Sequence, residues 1–153
     1  MSYCFDTSSF VNPWAKWYPY ETFPSIWQNL DRLIESESII ASEEVFRETE
    51  KQADDLHDWL KQRQQIFIPL DENIQNATIE IQREFPNLVN YNKQRSQADP
   101  FVIATAIVYR KTLVTEETPS QSITKPRIPN VCQHFGLEYI NFLELIKREK
   151  WRF

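Results

Sequence analysis

Ala98-Asp99-Pro100-Phe101-Val102-Ile103-Ala104-Thr105-Ala106-Ile107-Val108-Tyr109-Arg110-Lys111-Thr112-Leu113-Val114-Thr115-Glu116-Glu117 decides the fold. It begins with an acid suited to N-cap a helix, followed by a proline whose missing N–H costs nothing in a first helical turn. Phe101 to Tyr109 is apolar nearly all round, the pattern of a buried helix. Thr112-Leu113-Val114-Thr115 is short and β-branched, so it reads as a central strand. A helix packed antiparallel to the strand that follows starts over that strand's C-terminal end. Asp99 and Glu117 are therefore expected at one edge of a sheet, the edge where open α/β sheets take ligands.

The rest of the chain sets bounds on this reading. A length of 153 residues suits one domain, residues 1–153, and a composition 41% hydrophobic and 14% aromatic is that of a folded chain. Cys4 and Cys132 make no disulfide framework and read as buried thiols in a reducing compartment. No signal-peptide pattern opens the sequence, and no apolar run reaches the ~18 residues of a membrane span, so a cytoplasmic location is expected. A net charge of −5 argues against nonspecific coating of nucleic acid. It leaves a nuclease open, because a bound cation inverts the local field of clustered acids. The one glycine, Gly136, rules out glycine-rich phosphate loops. His57 and His134 lack the partners of a zinc site. His57 reads as a solvated surface residue, and His134 as a cation near a helix end.

Along the chain, short strands alternate with helices, which implies an α/β fold with a mainly parallel sheet. Ser2 to Phe5 is a buried strand, and the polar run Asp6-Thr7-Ser8-Ser9 ends it. An aromatic tract follows (Trp14, Trp17, Tyr18, Tyr20, Phe23, Trp27), preceded by Pro13, interrupted by Pro19 and Pro24, and leading into a helix over 24–36. It reads as a satellite hydrophobic cluster, with base stacking as the functional alternative. Residues 38–41 form a second strand, and Ser42 caps a helix carrying Val45-Phe46-Arg47-Glu48. Helices are expected over 53–65 and 73–84, and a polar loop over 86–98. A loop over 118–127 precedes a helix that Pro129 begins and Gly136 stops. A last strand, 138–141, leads to a basic C-terminal helix.

Four acids stand out by position. Asp6 ends the first strand, Glu48 lies one turn or so into the helix after the second, Asp99 opens the buried helix, and Glu117 follows a strand's C-terminal end. Parallel strands bring these positions to one edge. Carboxylates gathered there repel one another and raise each other's pKa. Mg²⁺ or Mn²⁺, hard cations that take oxygen ligands, relieves that repulsion.

Tyr3-Cys4-Phe5-Asp6-Thr7-Ser8, Val45-Phe46-Arg47-Glu48, Ala98 to Ala106 and Leu113-Val114-Thr115-Glu116-Glu117 together resemble the four acidic motifs of the PIN-domain nucleases. These include toxin ribonucleases of type II toxin–antitoxin pairs. Tyr18-Pro19-Tyr20 to Trp27 and Lys125 to Cys132 resemble a prokaryotic PIN-like subfamily. The resemblance implies a three-layer α/β/α domain with a mainly parallel sheet. It maps the family's acids onto Asp6, Glu48, Asp99 and Glu117, the last at a position where the family commonly has Asp. Thr7, Ser8 and Thr115 would orient these carboxylates. Lys93, Arg95, Lys125 and Arg127 flank the site in sequence and would touch phosphates.

The resemblance further implies a divalent-metal-dependent endoribonuclease that hydrolyses RNA phosphodiesters, with Mg²⁺ or Mn²⁺ as cofactor, a protein antitoxin as partner, and a homodimer. Two alternatives stay open: a binding or regulatory module with weakened catalysis, and a DNA-directed or structure-specific nuclease.

Overall fold

The computed structural model describes residues 1–51, 54–89, 97–122 and 124–153. Its centre is β1 (Tyr3–Phe5), three residues with no exposed surface. β2 (Ile39–Ser42), β3 (Phe67–Ile68), β4 (Thr112–Val114) and β5 (Tyr139–Ile140) complete a five-stranded sheet of order β3-β2-β1-β4-β5. Every pairing is parallel, and Cys4 stands opposite Ile40 on one side and Leu113 on the other. The near-continuous apolar character of these strands follows from burial on both faces. Chain order reverses on either side of β1, so the β1–β4 boundary is the switch point at which doubly wound sheets open a crevice at their C-terminal edge.

Backbone bonds continue past the strands at this boundary. The Asp6 N–H donates to the Val114 carbonyl at 3.0 Å, and the Thr115 N–H to that of Ile140 at 2.9 Å. The last residues of β1 and β4 are therefore held in register at the sheet's edge.

Among the described residues eight α-helices surround the sheet: α1 (Thr7–Asn12), α2 (Pro24–Glu35), α3 (Glu43–Glu50), α4 (Asp55–Lys61), α5 (Glu72–Glu84), α6 (Asp99–Tyr109), α7 (Ile128–Phe135) and α8 (Phe142–Arg148). α6 is apolar because its first turns are buried: Val102, Ile103, Ala104 and Ala106 are fully enclosed, and only its C-terminal end, at Tyr109, is exposed. The Cys4 thiol donates to the Val102 carbonyl at 3.8 Å, which seats the first half of α6 on β1. Gly136, in the left-handed region at φ 67°, ends α7, where an L side chain would be strained. No described helix is long and apolar enough to cross a membrane.

The sequence reading and the structure differ at five places. Asp99 is the first residue of α6 rather than its cap, which is Ala98. The polar run after β1 does not merely end the strand but opens a helix: Asp6 caps α1, accepting the Ser9 N–H at 2.8 Å, and the chain continues through a π-helical turn at Pro13–Trp17. The helix expected over 53–65 spans Asp55–Lys61 and is followed by a 3₁₀ turn at Gln64–Ile66. β3 is two residues long, too short for its period to register in the sequence. His57 is not a solvated surface residue. It is half-buried, its ring stacked on Phe46 at 4.6 Å, with Nδ1 3.3 Å from the Thr49 hydroxyl.

Of the aromatic tract, Trp14 and Trp27 belong to the core, whereas Trp17, Tyr20 and Phe23 remain exposed. The Trp27 indole N–H donates to the Tyr18 carbonyl at 2.7 Å and its ring packs on Phe142 at 5.9 Å. The tract thus ties α2 and α8 into the same core. Cys4 and Cys132 are both buried free thiols, as their apolar contexts suggest.

Candidate functional site: a carboxylate edge at the sheet switch point

Asp6 is 2% exposed, yet it is a carboxylate. Three donors surround it. The Ser9 N–H reaches Oδ1 at 2.8 Å, the Ser8 hydroxyl lies 2.8 and 2.9 Å from the two oxygens, and the Thr115 hydroxyl reaches Oδ2 at 2.5 Å. Two carboxylate oxygens offer about four acceptor positions, so three donors leave room for about one more partner. Burial pushes the Asp6 pKa up to about 7, against the pull of the Thr115, Ser9 and Ser8 bonds, and the charge of Glu117 pushes it the same way.

Glu117 is half-buried two residues beyond Thr115, and its N–H donates to the Thr115 hydroxyl at 3.1 Å. Its Oε2 accepts the Ile128 N–H at 3.1 Å, at the positive end of α7. Burial raises the pKa of this carboxyl. The Ile128 bond and the Arg127 charge oppose the rise, and the Glu48 charge adds to it. Glu117 is thus an electrostatic neighbour of both Asp6 and Glu48. Glu48 is fixed from below: the Thr7 hydroxyl donates to its Oε1 at 2.5 Å and links α1 to α3.

The Thr7 hydroxyl thus contacts Glu48, and the Ser8 and Thr115 hydroxyls both contact Asp6. Ser8 does more than orient Asp6, because its hydroxyl also accepts the Glu116 N–H at 3.0 Å and so fastens α1 to the end of β4. Asp99 is 8% exposed in the first turn of α6. Two residues separate α6 from β4, so α6 runs back along the sheet and begins over its C-terminal edge. Arg127 is exposed beside Glu117, and its Nη1 lies 3.4 Å from the Thr118 carbonyl. Lys125 is exposed on the same loop. Lys93 and Arg95 lie outside the described residues.

Two contributors escaped the sequence reading. Ser9 supplies a backbone donor to Asp6, and the Asp6-Thr7-Ser8-Ser9 spacing is the capping pattern that signals it. Asn130 binds the 118–127 loop to α7, accepting the Ser120 N–H at 2.9 Å and the Arg127 N–H at 3.0 Å. Glu116, adjacent to the acid of interest, turns elsewhere and accepts the Phe142 N–H of α8 at 2.8 Å.

The donors at this edge are oxygens only, and their charges penalise one another, which is the chemistry a hard divalent cation relieves. The residues therefore fit Mg²⁺ or Mn²⁺ in kind. As they stand, no three His, Cys, Asp or Glu side chains among the described residues converge closely enough to hold a metal ion.

The switch-point sheet with acids at its C-terminal edge has the fold of a PIN-like domain. A chain in the crystal structure of VapBC2 from Rickettsia felis bound to a DNA fragment from their promoter shares it, with a TM-score of 0.54 and 17% identity. The match covers 93% of this chain and 99% of that one. The chain itself belongs to the family described as Domain of unknown function (DUF4411), whose model matches residues 3–153. No curated protein matches it.

Proposed function

We propose that this chain is a divalent-metal-dependent endoribonuclease acting as the toxin of a toxin–antitoxin pair. The observation that carries the reading is Asp6, a buried carboxylate at the switch point whose proton affinity is raised by its burial and by Glu117. A protein gains nothing in stability from such a charge, and it holds this one with three donors. The fold shared with a chain of VapBC2, a toxin–antitoxin complex, adds support.

Asp6 and Asp99 are the direct ligands for Mg²⁺ or Mn²⁺ in this reading, with Glu48 and Glu117 completing the site. When bound, such an ion supplies Lewis-acid stabilisation of the charge that develops on phosphoryl oxygens and favours an activated water. Thr115, Ser8 and the Ser9 N–H keep the Asp6 carboxylate in one orientation, and Thr7 does so for Glu48. Arg127 and Lys125, with Lys93 and Arg95, hold the RNA phosphates beside the acids. Residues 1–153 act as one cytoplasmic domain, assembling as a homodimer and with a protein antitoxin.

The test is cleavage of structured RNA with Mn²⁺ by the wild type, Asp6→Asn and Asp99→Asn. Loss of cleavage in both variants is the expected result, and unchanged cleavage in both overturns the assignment. The engagement of Glu117 with α7 favours one second reading, a PIN-like binding module with weakened catalysis. Calorimetry separates the two, because the module binds no Mn²⁺ at millimolar metal.

A further inference from the structure

A cleft of about 370 Å³ opens where the π-helical turn after α1 meets α4. Trp14, Tyr20 and Trp59 form its apolar walls, and Glu21, Asp55 and Asp58 stand around them. The Trp14 ring lies 5.6 Å from Tyr20 and 5.8 Å from Trp59, both tilted, so the three rings make a concave surface rather than a stack. Asp55, Asp58 and Trp59 sit at i, i+3 and i+4 of α4 and share its face. Trp14 is held there by its own indole N–H, which donates to Asp55 Oδ1 at 3.0 Å. Among the described residues the lining carries three carboxylates and no lysine or arginine. Electron-rich ring faces beside unneutralised carboxylates are the two elements that bind an organic cation.

The molecule already uses this chemistry on the neighbouring ring. Arg63, which does not line the cleft, lies over Trp59 with Cζ 3.8 Å from the ring centroid. Its Nε and Nη2 donate to the two oxygens of Asp31 at 2.5 and 2.8 Å. A guanidinium satisfies both needs at once, stacking its plane on an indole while its edge donates to a carboxylate. An ammonium lacks the plane, and a quaternary ammonium lacks the donors.

We infer that this cleft is a binding site for the guanidinium of an arginine side chain presented by a partner polypeptide. The charge complementarity of its walls selects the cation, and its size admits one side chain rather than a helix. The site stands apart from the carboxylate edge: Trp14 follows Asp6 by eight residues of helical path, about 12 Å at the usual rise. The inference rests on none of the nuclease reading and survives its failure.

The experiment titrates the full chain with N-acetyl-arginine methylamide, following tryptophan fluorescence and the Trp14 indole N–H resonance. A saturable shift is expected, at least fivefold weaker in Asp58→Asn and in Tyr20→Ala, and weakened by added salt. Both positions are exposed, and thermal melting of each variant checks that the fold persists. Should Tyr20→Ala fail to fold, Asp58→Asn decides. The neutral isostere N-acetyl-citrulline methylamide is expected to give no saturable shift. Equal response to citrulline, equal affinity for tetramethylammonium, or undiminished binding by Asp58→Asn overturns the site. Tighter binding of free arginine than of the blocked form would make the ligand an amino acid and overturn the polypeptide partner.

Discussion

The Thr115 hydroxyl donates to Asp6 Oδ2 at 2.5 Å and at the same time accepts the Glu117 N–H at 3.1 Å. One side chain thus joins the C-terminal ends of two adjacent parallel strands and sets the distance between the two acids that follow them. The arrangement positions charge at the expense of stability, because the same geometry buries Asp6.

That cost has a pH signature. The Asp6 pKa stands at about 7 in the folded chain against an ordinary value of 3.8. The folded state therefore holds a proton that the unfolded state releases, and stability falls as pH rises between those values. Asp6→Asn removes the penalty. It is expected to be more stable than the wild type at pH 8, by of order a few kcal/mol, and so to melt higher, with the difference closing toward pH 4. Thermal melts across that range check it. A variant less stable than wild type at pH 8 would show that the bonds to the carboxylate outweigh its burial.

Thr115→Val keeps the shape of the side chain and removes the hydroxyl. The bond it breaks lowers the Asp6 pKa, so its loss drives that pKa further up. A hydrogen bond to a charged group contributes roughly 1.5–3 kcal/mol, and the expected loss of stability at pH 8 lies in that range. The loss shrinks at low pH, where Asp6 is neutral. Denaturant titrations at the two pH values decide, and a pH-independent loss would contradict the coupling.

The structure gives the long side chain of Glu117 a use at the start of α7. Its Oε2 reaches the Ile128 N–H there. Glu117→Asp falls short of that N–H and is expected to cost about 1 kcal/mol, the scale of a lost helix cap. Glu117→Gln keeps an acceptor and removes a charge that both Asp6 and Glu48 feel, so its melting temperature should equal or exceed the wild type's. Equal stability of the Asp variant and the wild type would mean that the α7 contact carries no weight.

The legible parts of this fold are those in which one residue type has one physical use. The apolar stretch 101–109 calls for a helix buried over most of its length, and it is α6, enclosed from Val102 to Ala106. Ser42 and Asn141 sit before helices and cap them, accepting the N–H groups of Glu44 and Glu144. The proximity of Asp6 to Glu117 followed from topology alone, since parallel strands share an edge. What escaped depends on tertiary contact. Thr7-Ser8-Ser9 looks like a turn until Asp6 is recognised as a cap. His57 looks solvated in an acidic helix until Phe46 is placed against it. Which rings of the aromatic tract are core and which line a cleft is set by α4, far along the chain. The identity of the α7 N–H bound by Glu117 lies eleven residues beyond it, across a loop whose path composition does not encode.

The two thiols offer a probe of how firmly this edge is held. Cys4 and Cys132 have no exposed surface. Burial, with a contribution from the Asp6 charge, pushes Cys132 up to about 12 and Cys4 upward as well. At pH 8 only about one Cys132 in 10⁴ is then thiolate, against roughly a quarter at the ordinary cysteine pKa near 8.5. Since the thiolate is the nucleophile, native protein should resist a thiol-specific disulfide reagent at pH 8, and both cysteines should react at once in denaturing guanidinium chloride. Residual labelling in native buffer then reports opening of the sheet rather than surface chemistry. Mass spectrometry of partly labelled protein checks whether the two sites react together, as they must if β1 and α7 open as one unit. Rapid labelling of Cys132 alone would show instead that α7 detaches from the acidic edge without the sheet, and that the Glu117 contact at its first turn is the weak point of the site.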